Sequence, residues 1–162
     1  YQGAPNFGGY ISYFFDLRFA MQLTYLTGDH HFRLSQGTTV INGTASVQEI
    51  GFGIKYFLNT QNVTRGLAAI NPYILLGLEQ VYRSQRFDGS PGVNQTGALG
   101  FAGSFGLEIP MMRNKMYFGA EATYVYVGFP DENNQIVVGT TQTGVYPRGD
   151  FVRFNGIIGI NF

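Results

Sequence analysis

The sequence predicts an all-β fold, an antiparallel transmembrane β-barrel, and three observations carry that expectation. Only 12% of the 162 residues are charged, about half the share usual in a globular domain. Glycine is abundant, at 23 residues, and 16% of the chain is aromatic. Residue character alternates with period two in segment after segment, the mark of strands with two unlike faces. The length suits a single domain over residues 1–162.

Composition also excludes several classes. With 44% hydrophobic residues and zero formal net charge, the chain lacks the signature of disorder. It also lacks the concentrated basic face that nucleic acid requires. The absence of cysteine excludes a disulfide scaffold. No apolar run approaches the roughly 18 residues of a membrane-spanning helix. Tyr1 to Asn6 has neither the basic start nor the apolar core of a signal peptide, so the sequence reads as mature or truncated material.

Taken in order, the first two strands are weakly marked, at about Gly8–Phe15 and Arg18–His31, with a tight turn at Asp16 and Leu17 between them. A polar loop, Leu34–Thr44, leads to the clearest segment, Ala45–Leu58. There Ile50, Phe52, Ile54, Tyr56 and Leu58 share one face and Glu49, Gly51, Gly53 and Lys55 the other. Asn59–Ala69 is an intermediate loop. Its Leu67–Ile70 end is the most helix-like patch in the chain, but Asn71 and Pro72 follow and favour a strand start. Ile70–Ser84 sets Ile74, Leu76, Leu78 and Tyr82 against Gly77, Glu79 and Arg83. After the loop Gln85–Gln95, Ala98–Ile109 opposes Leu99, Phe101, Phe105 and Leu107 to Gly100, Ala102, Ser104 and Glu108. A short turn, Pro110–Lys115, precedes Met116–Gly128, where Phe118, Tyr124 and Tyr126 oppose Gly119, Glu121 and Thr123. The long loop Phe129–Gly149 ends at the last strand, Phe151–Phe162.

Three features orient the two faces. The strand charges Glu49, Lys55, Glu79, Arg83, Glu108, Glu121 and Arg153 all lie opposite the greasy residues, and they are too few for a water-exposed sheet face. That same face holds most strand glycines, alanines and serines, which suits a narrow interior. Aromatic residues such as Tyr25, Tyr56, Tyr82, Tyr126 and Phe162 lie towards the ends of the greasy faces, as in membrane barrels. The greasy face is therefore expected outside.

With these features the chain resembles the small eight-stranded outer-membrane β-barrels of Gram-negative bacteria, of the OmpA-domain and OmpX-like type. The resemblance spans essentially the whole sequence and is carried by the alternating end Phe151–Phe162, the turn Tyr13–Phe19 and the Asn71-Pro72-Tyr73 strand opening. It implies an outer-membrane location with a periplasmic C-terminus. It also implies that Phe154, Gly156, Ile158, Ile160 and Phe162 form the signal read by the assembly machinery. Seven strands are visible where eight are expected, since bacterial barrels have an even number. Counting back from Phe162 makes Gly8–Phe15 the second strand. The first is then expected upstream, removed or supplied by another chain, with Tyr1–Phe7 in the first surface loop.

An eight-stranded barrel has its interior filled by side chains, so the seven inward charges are expected to form an internal salt-bridge plug. Glu49, Glu79 and Arg153 project to mid-height, and Lys55, Glu108 and Glu121 nearer one rim. Arg33, Arg86 and Arg148, at the long-loop end, are candidate contacts for lipopolysaccharide phosphates. Asp29, His30 and His31 hold both histidines, but neighbours on a strand point to opposite faces. With no third ligand at a plausible spacing they make no metal site, and with Ser35 and Ser84 they match no catalytic motif. Gly51-Phe52-Gly53 and Gly97 to Gly106 lie within strands and signify close packing rather than phosphate loops. Gln135–Val138 and Thr143–Tyr146 are expected to pair as a hairpin offering a sheet edge. The functional expectation is a non-enzymatic outer-membrane anchor or interaction protein without cofactor, acting through its loops or an envelope partner. A narrow transporter of small hydrophobic solutes and a lipid A-modifying enzyme are the alternatives.

Overall fold

The computed structural model describes residues 5–36, 39–58, 70–88, 93–113, 115–131, 133–134, 137–138, 141–142, 146 and 149–160. Its strands are β1 (Asn6–Phe14), β2 (Phe19–Gln36), β3 (Thr39–Phe57), β4 (Asn71–Phe87), β5 (Val93–Met111), β6 (Met116–Val127), β7 (Val137–Val138), β8 (Thr141–Gln142) and β9 (Phe151–Ile160). Seven of them form one sheet in the order β1-β2-β3-β4-β5-β6-β9, and β7 pairs only with β8. Every pairing in the large sheet is antiparallel.

The sheet curls because its two faces carry residues of different bulk. On the concave side Gly51, Gly53, Gly100, Ala102, Ser104 and Gly106 are buried, and small side chains let neighbouring strands fold towards one another. On the convex side large apolar residues stand outward. Phe154 is 82% exposed, Ile11 76% and Ile158 71%. The charged residues Glu49, Lys55, Glu79, Arg83, Glu108, Glu121 and Arg153 are all buried on the concave side. Polarity is therefore inverted relative to a water-soluble sandwich.

Two glycines on the concave face are fixed by aromatic neighbours. Gly106 lies directly across from Tyr73, and a Cβ there would overlap the Tyr73 ring. Gly159 faces Tyr117 in the same way. In each pair the tyrosine lies across the space left by the missing side chain, which aims its hydroxyl along the interior.

The sheet does not close. Its first and last strands, β1 and β9, are unpaired edges 8 Å apart, whereas paired strands lie about 4.8 Å apart. This overturns the expected closed eight-stranded transmembrane barrel: the architecture is an open, strongly curled half-barrel of seven strands. It overturns the outer-membrane placement too. Hydrocarbon offers no partners to edge N–H and C=O groups, so only sheets without free edges span a bilayer. Among the described residues no helix is long and apolar enough to cross a membrane, which bears on helices alone.

Strands also run further than the alternation indicates. β2 and β3 continue to Gln36 and from Thr39, pairing Leu34 with Ile41, so most of the expected loop Leu34–Thr44 is ladder. β4 and β5 extend likewise to Phe87 and from Val93. The hairpin inside the long loop is tighter than expected. Val137 and Val138 pair with Gln142 and Thr141, residues expected in its turn. It does not join the large sheet. Between β5 and β6, Met112 and Arg113 adopt positive φ, 48° and 57°, and Lys115 N–H donates to the Met112 carbonyl at 3.3 Å.

Two outcomes follow from this architecture. A non-glycine residue in the left-handed region is strained by about 1 kcal/mol, so Arg113→Gly is expected to stabilise the chain by about that amount in chemical denaturation. The convex apolar face exceeds the few hundred Å² that a free monomer normally exposes. Light scattering should therefore show self-association in plain buffer and dispersal in a mild nonionic detergent.

Candidate functional site

The curled sheet encloses a trough of about 1150 Å³ that opens along the gap between β1 and β9. We call this gap the seam. Its walls are built by parity: the inward residues of each strand are every second one. β9 contributes Arg153, Asn155 and Ile157, its neighbour β6 contributes Tyr117 and Glu121, β1 contributes Asn6, Gly8, Tyr10 and Ser12, and the back wall contributes Glu49 and Lys55.

Arg153 is the central polar group. Its Nη2 donates to Glu79 Oε1 at 2.6 Å and its Nη1 to Glu79 Oε2 at 2.9 Å. The same Nη1 is also bonded to Glu49. All three side chains are buried, so the charges need these partners. Burial works against the arginine's charge, but the hydrogen bonds it donates to Glu79 and the charges of Glu49 and Glu79 raise its pKa. Two carboxylates sharing one guanidinium cannot both be fully compensated. Burial, helped by the charge of Glu79, pushes Glu49 up to about 7 despite the lowering effect of Arg153.

A second group surrounds Lys55. Its Nζ lies 2.9 Å from Glu108 Oε1 and 4.0 Å from the centre of the Tyr73 ring, with Tyr10 and Phe57 at 5.0 and 5.5 Å. Aromatic faces attract a desolvated ammonium, which compensates for burying it. Tyr73 donates to Glu121 Oε2 at 2.9 Å, and Thr123 and Asn155 donate to Glu121 Oε1 at 3.2 and 3.3 Å. Glu121 thus accepts from neutral donors alone among the described residues. Burial drives the hydroxyls of Tyr10 and Tyr73 far above the usual phenol range, reinforced by Tyr117 and Glu121 respectively. Both stay protonated, and Tyr73 serves as a donor.

The two edge strands are each tied across the trough. Arg153 ties β9 to β3 and β4. The Tyr10 and Tyr117 hydroxyls, 2.7 Å apart, tie β1 to β6. At the long-loop end the segment after β6 folds back inside: Phe129 is buried in an apolar cluster with Val81, Ala102, Val125 and Val127. Asp131 follows it and takes two hydrogen bonds from Arg83 Nη2 at 2.7 and 2.8 Å, while the guanidinium lies 4.3 Å from the Phe129 ring centre.

Of the residues singled out from the sequence, Glu49, Glu79 and Arg153 come together, Lys55 joins Glu108, and Arg83 and Glu121 find partners elsewhere. Asp131, Phe129, Tyr10, Tyr73 and Tyr117 were not among them. Asp131 and Phe129 lie beyond the last alternating residue of β6, where no period signals their return. Phe154, Gly156, Ile158 and Ile160 point outward on β9; Phe162 lies outside the described residues. Arg33 and Arg86 are exposed, and Arg148 lies outside the described residues. Asp29 and His31 are bonded to Ser46 and Thr44 on the outer face, while His30 faces the trough. Among the described residues no group of three or more His, Asp or Glu is placed to hold a metal ion.

No protein-family model, curated protein or solved structure matches the chain. With the open edges, this overturns the resemblance to OmpA-like and OmpX-like barrels. The outer-membrane anchor, the hydrophobic-solute transporter and the lipid A-modifying enzyme all presuppose a closed barrel in a bilayer and fall with it. So do the lipid, lipopolysaccharide, envelope-protein and assembly-machinery partners, whose contacts depended on that placement.

The raised pKa of Glu49 gives a pH signature. Its native value of about 7 exceeds the ordinary 4.5, so between these values the folded chain holds a proton that the unfolded chain has released. Stability contributed by this group is full below pH 4.5 and is lost as pH rises to 7, by roughly 3 kcal/mol at most. Denaturant titrations from pH 4 to 8 should show this fall, and Glu49→Gln should flatten it. An equal slope in both proteins would reject the assignment.

Proposed function

We propose that the chain is a non-catalytic binding module that receives one extended polypeptide segment in its seam by strand addition. The observation that carries this is the direction of the edges. An odd number of antiparallel strands leaves β1 and β9 running the same way. A single strand running opposite to both can therefore pair antiparallel with each, whereas direct closure would require a parallel pairing. The width agrees: one inserted strand needs two interstrand spacings, close to 10 Å in all, and the edges stand 8 Å apart. A small outward flexing of either edge, with opening of the Tyr10–Tyr117 hydrogen bond that spans the seam, admits it.

Side-chain chemistry specifies the segment further. Beside the seam the convex face presents Ile11, Tyr13, Phe154 and Ile158, so outward residues of the guest are apolar and pair across strands with these. Its inward residues meet Tyr10, Ser12, Arg153 and Asn155 and are polar. Main-chain hydrogen bonds to both edges supply affinity and the alternating side chains specificity. The ion pairs inside the trough leave Glu49, Glu79, Lys55, Glu108 and Arg153 engaged with one another, which favours binding over catalysis.

The test uses nine-residue peptides alternating valine with threonine, added to the full chain in nonionic detergent. Binding should protect amides of both β1 and β9 from hydrogen exchange, and N-methylation of alternate peptide amides should abolish it. Protection of one edge only, or edge-to-edge dimerisation that the peptide does not displace, would overturn strand addition.

A further inference from the structure

We infer that the guest strand carries a lysine or arginine at the inward position level with Asn155, where its cation pairs with Glu121. This inference rests on the strand-addition reading and names the chemistry of its ligand.

Among the described residues four carboxylates, Glu49, Glu79, Glu108 and Glu121, are buried against three cations, Lys55, Arg83 and Arg153, and the partly exposed Asp131 is a fifth acid beside them. The ion pairs assign the cations unevenly. Lys55 goes to Glu108, Arg83 to Asp131, and Arg153 is shared by Glu49 and Glu79. Glu121 accepts hydrogen bonds from Tyr73, Thr123 and Asn155 and has Arg153 only as a nearby charge to which it is not bonded. A buried carboxylate bonded only by neutral donors is more costly than one bonded directly to a cation.

Glu121 lies on β6 directly across from Asn155 of β9, and both line the trough where it opens at the seam. The short Asn155 side chain spans one strand spacing to reach Glu121 at 3.3 Å. From a guest strand one place further out, the carboxylate is about 4.8 Å more distant. Lysine and arginine have that reach, and their long apolar stems lie along the trough.

A third observation fixes the neighbouring position. Arg153 Nε is buried with no acceptor among the described residues, and Arg153 is the inward residue of β9 just before Asn155. In an antiparallel guest the residue two places after the cation stands level with Arg153. An acceptor side chain there, asparagine, glutamine, serine or threonine, satisfies that N–H. The guest pattern is therefore a cation, then an outward apolar residue, then a polar acceptor.

The valine–threonine peptide is compared with versions carrying Lys, Gln or Glu at its central inward position, on the unaltered chain in nonionic detergent. The Lys peptide should bind about tenfold more tightly than the Gln peptide, and the Glu peptide more weakly than both. Glu121→Gln should remove the preference for Lys over Gln. Hydrogen exchange and the urea midpoint report whether that variant keeps its fold. Equal binding of the Lys, Gln and Glu peptides would overturn this inference while leaving strand addition in place. Failure of every peptide to bind would overturn strand addition itself. A Lys preference that survives in a folded Glu121→Gln chain would overturn the assignment to Glu121.

Discussion

The shape of this protein depends on one buried guanidinium. Arg153 sits on an edge strand, yet its partners Glu79 and Glu49 belong to the middle of the sheet. A seven-stranded antiparallel sheet has no intrinsic reason to stop twisting at a particular curvature. The cross-trough ion pair supplies one, because the charges are buried and breaking a buried pair costs several kcal/mol. The hydroxyl pair of Tyr10 and Tyr117 does the same for the opposite edge with neutral groups. The ion pair holds the half-barrel curled, and the hydroxyl pair spans the seam, because β6 is the neighbour of β9, and keeps the two edges near one another.

The inverted polarity follows from the same constraint. Once charged groups gather on the concave side, that side must be narrow enough for each to reach a partner, and glycine, alanine and serine between them make it so. The convex side then receives the bulky apolar residues that the interior has no room for. Lys55 illustrates the economy of the arrangement. One carboxylate and three aromatic rings surround its ammonium, so a group rarely buried is accommodated.

Much of this was legible in the sequence, for a physical reason. The two faces differ so strongly in bulk and charge that parity alone places Glu49, Glu79 and Arg153 on one side at one height. What parity does not carry is anything that breaks the period. The outer halves of β2 and β3 expose Asp29, His31 and Arg33 where apolar residues would be expected, so the ladder there looks like loop. Phe129 and Asp131 re-enter the interior from beyond a strand end. Closure was also illegible from composition, because apolar alternation is a property of single strands. Whether the first and last strands meet is a property of their number and direction, and the odd count was the better guide.

The pairing of Tyr73 with Gly106 and of Tyr117 with Gly159 has a consequence for how the chain finds its register. Face parity punishes a slip of one residue, since every side chain would change sides. A slip of two residues preserves parity and would otherwise go unopposed. It would, however, move Tyr73 from Gly106 onto Ser104 or Glu108, and Tyr117 from Gly159 onto Ile157 in one direction. Each tyrosine would then meet a side chain where it needs a void. The glycine and tyrosine pairs thus work as keys cut to one depth, rejecting the misalignment that hydrophobic patterning alone would accept.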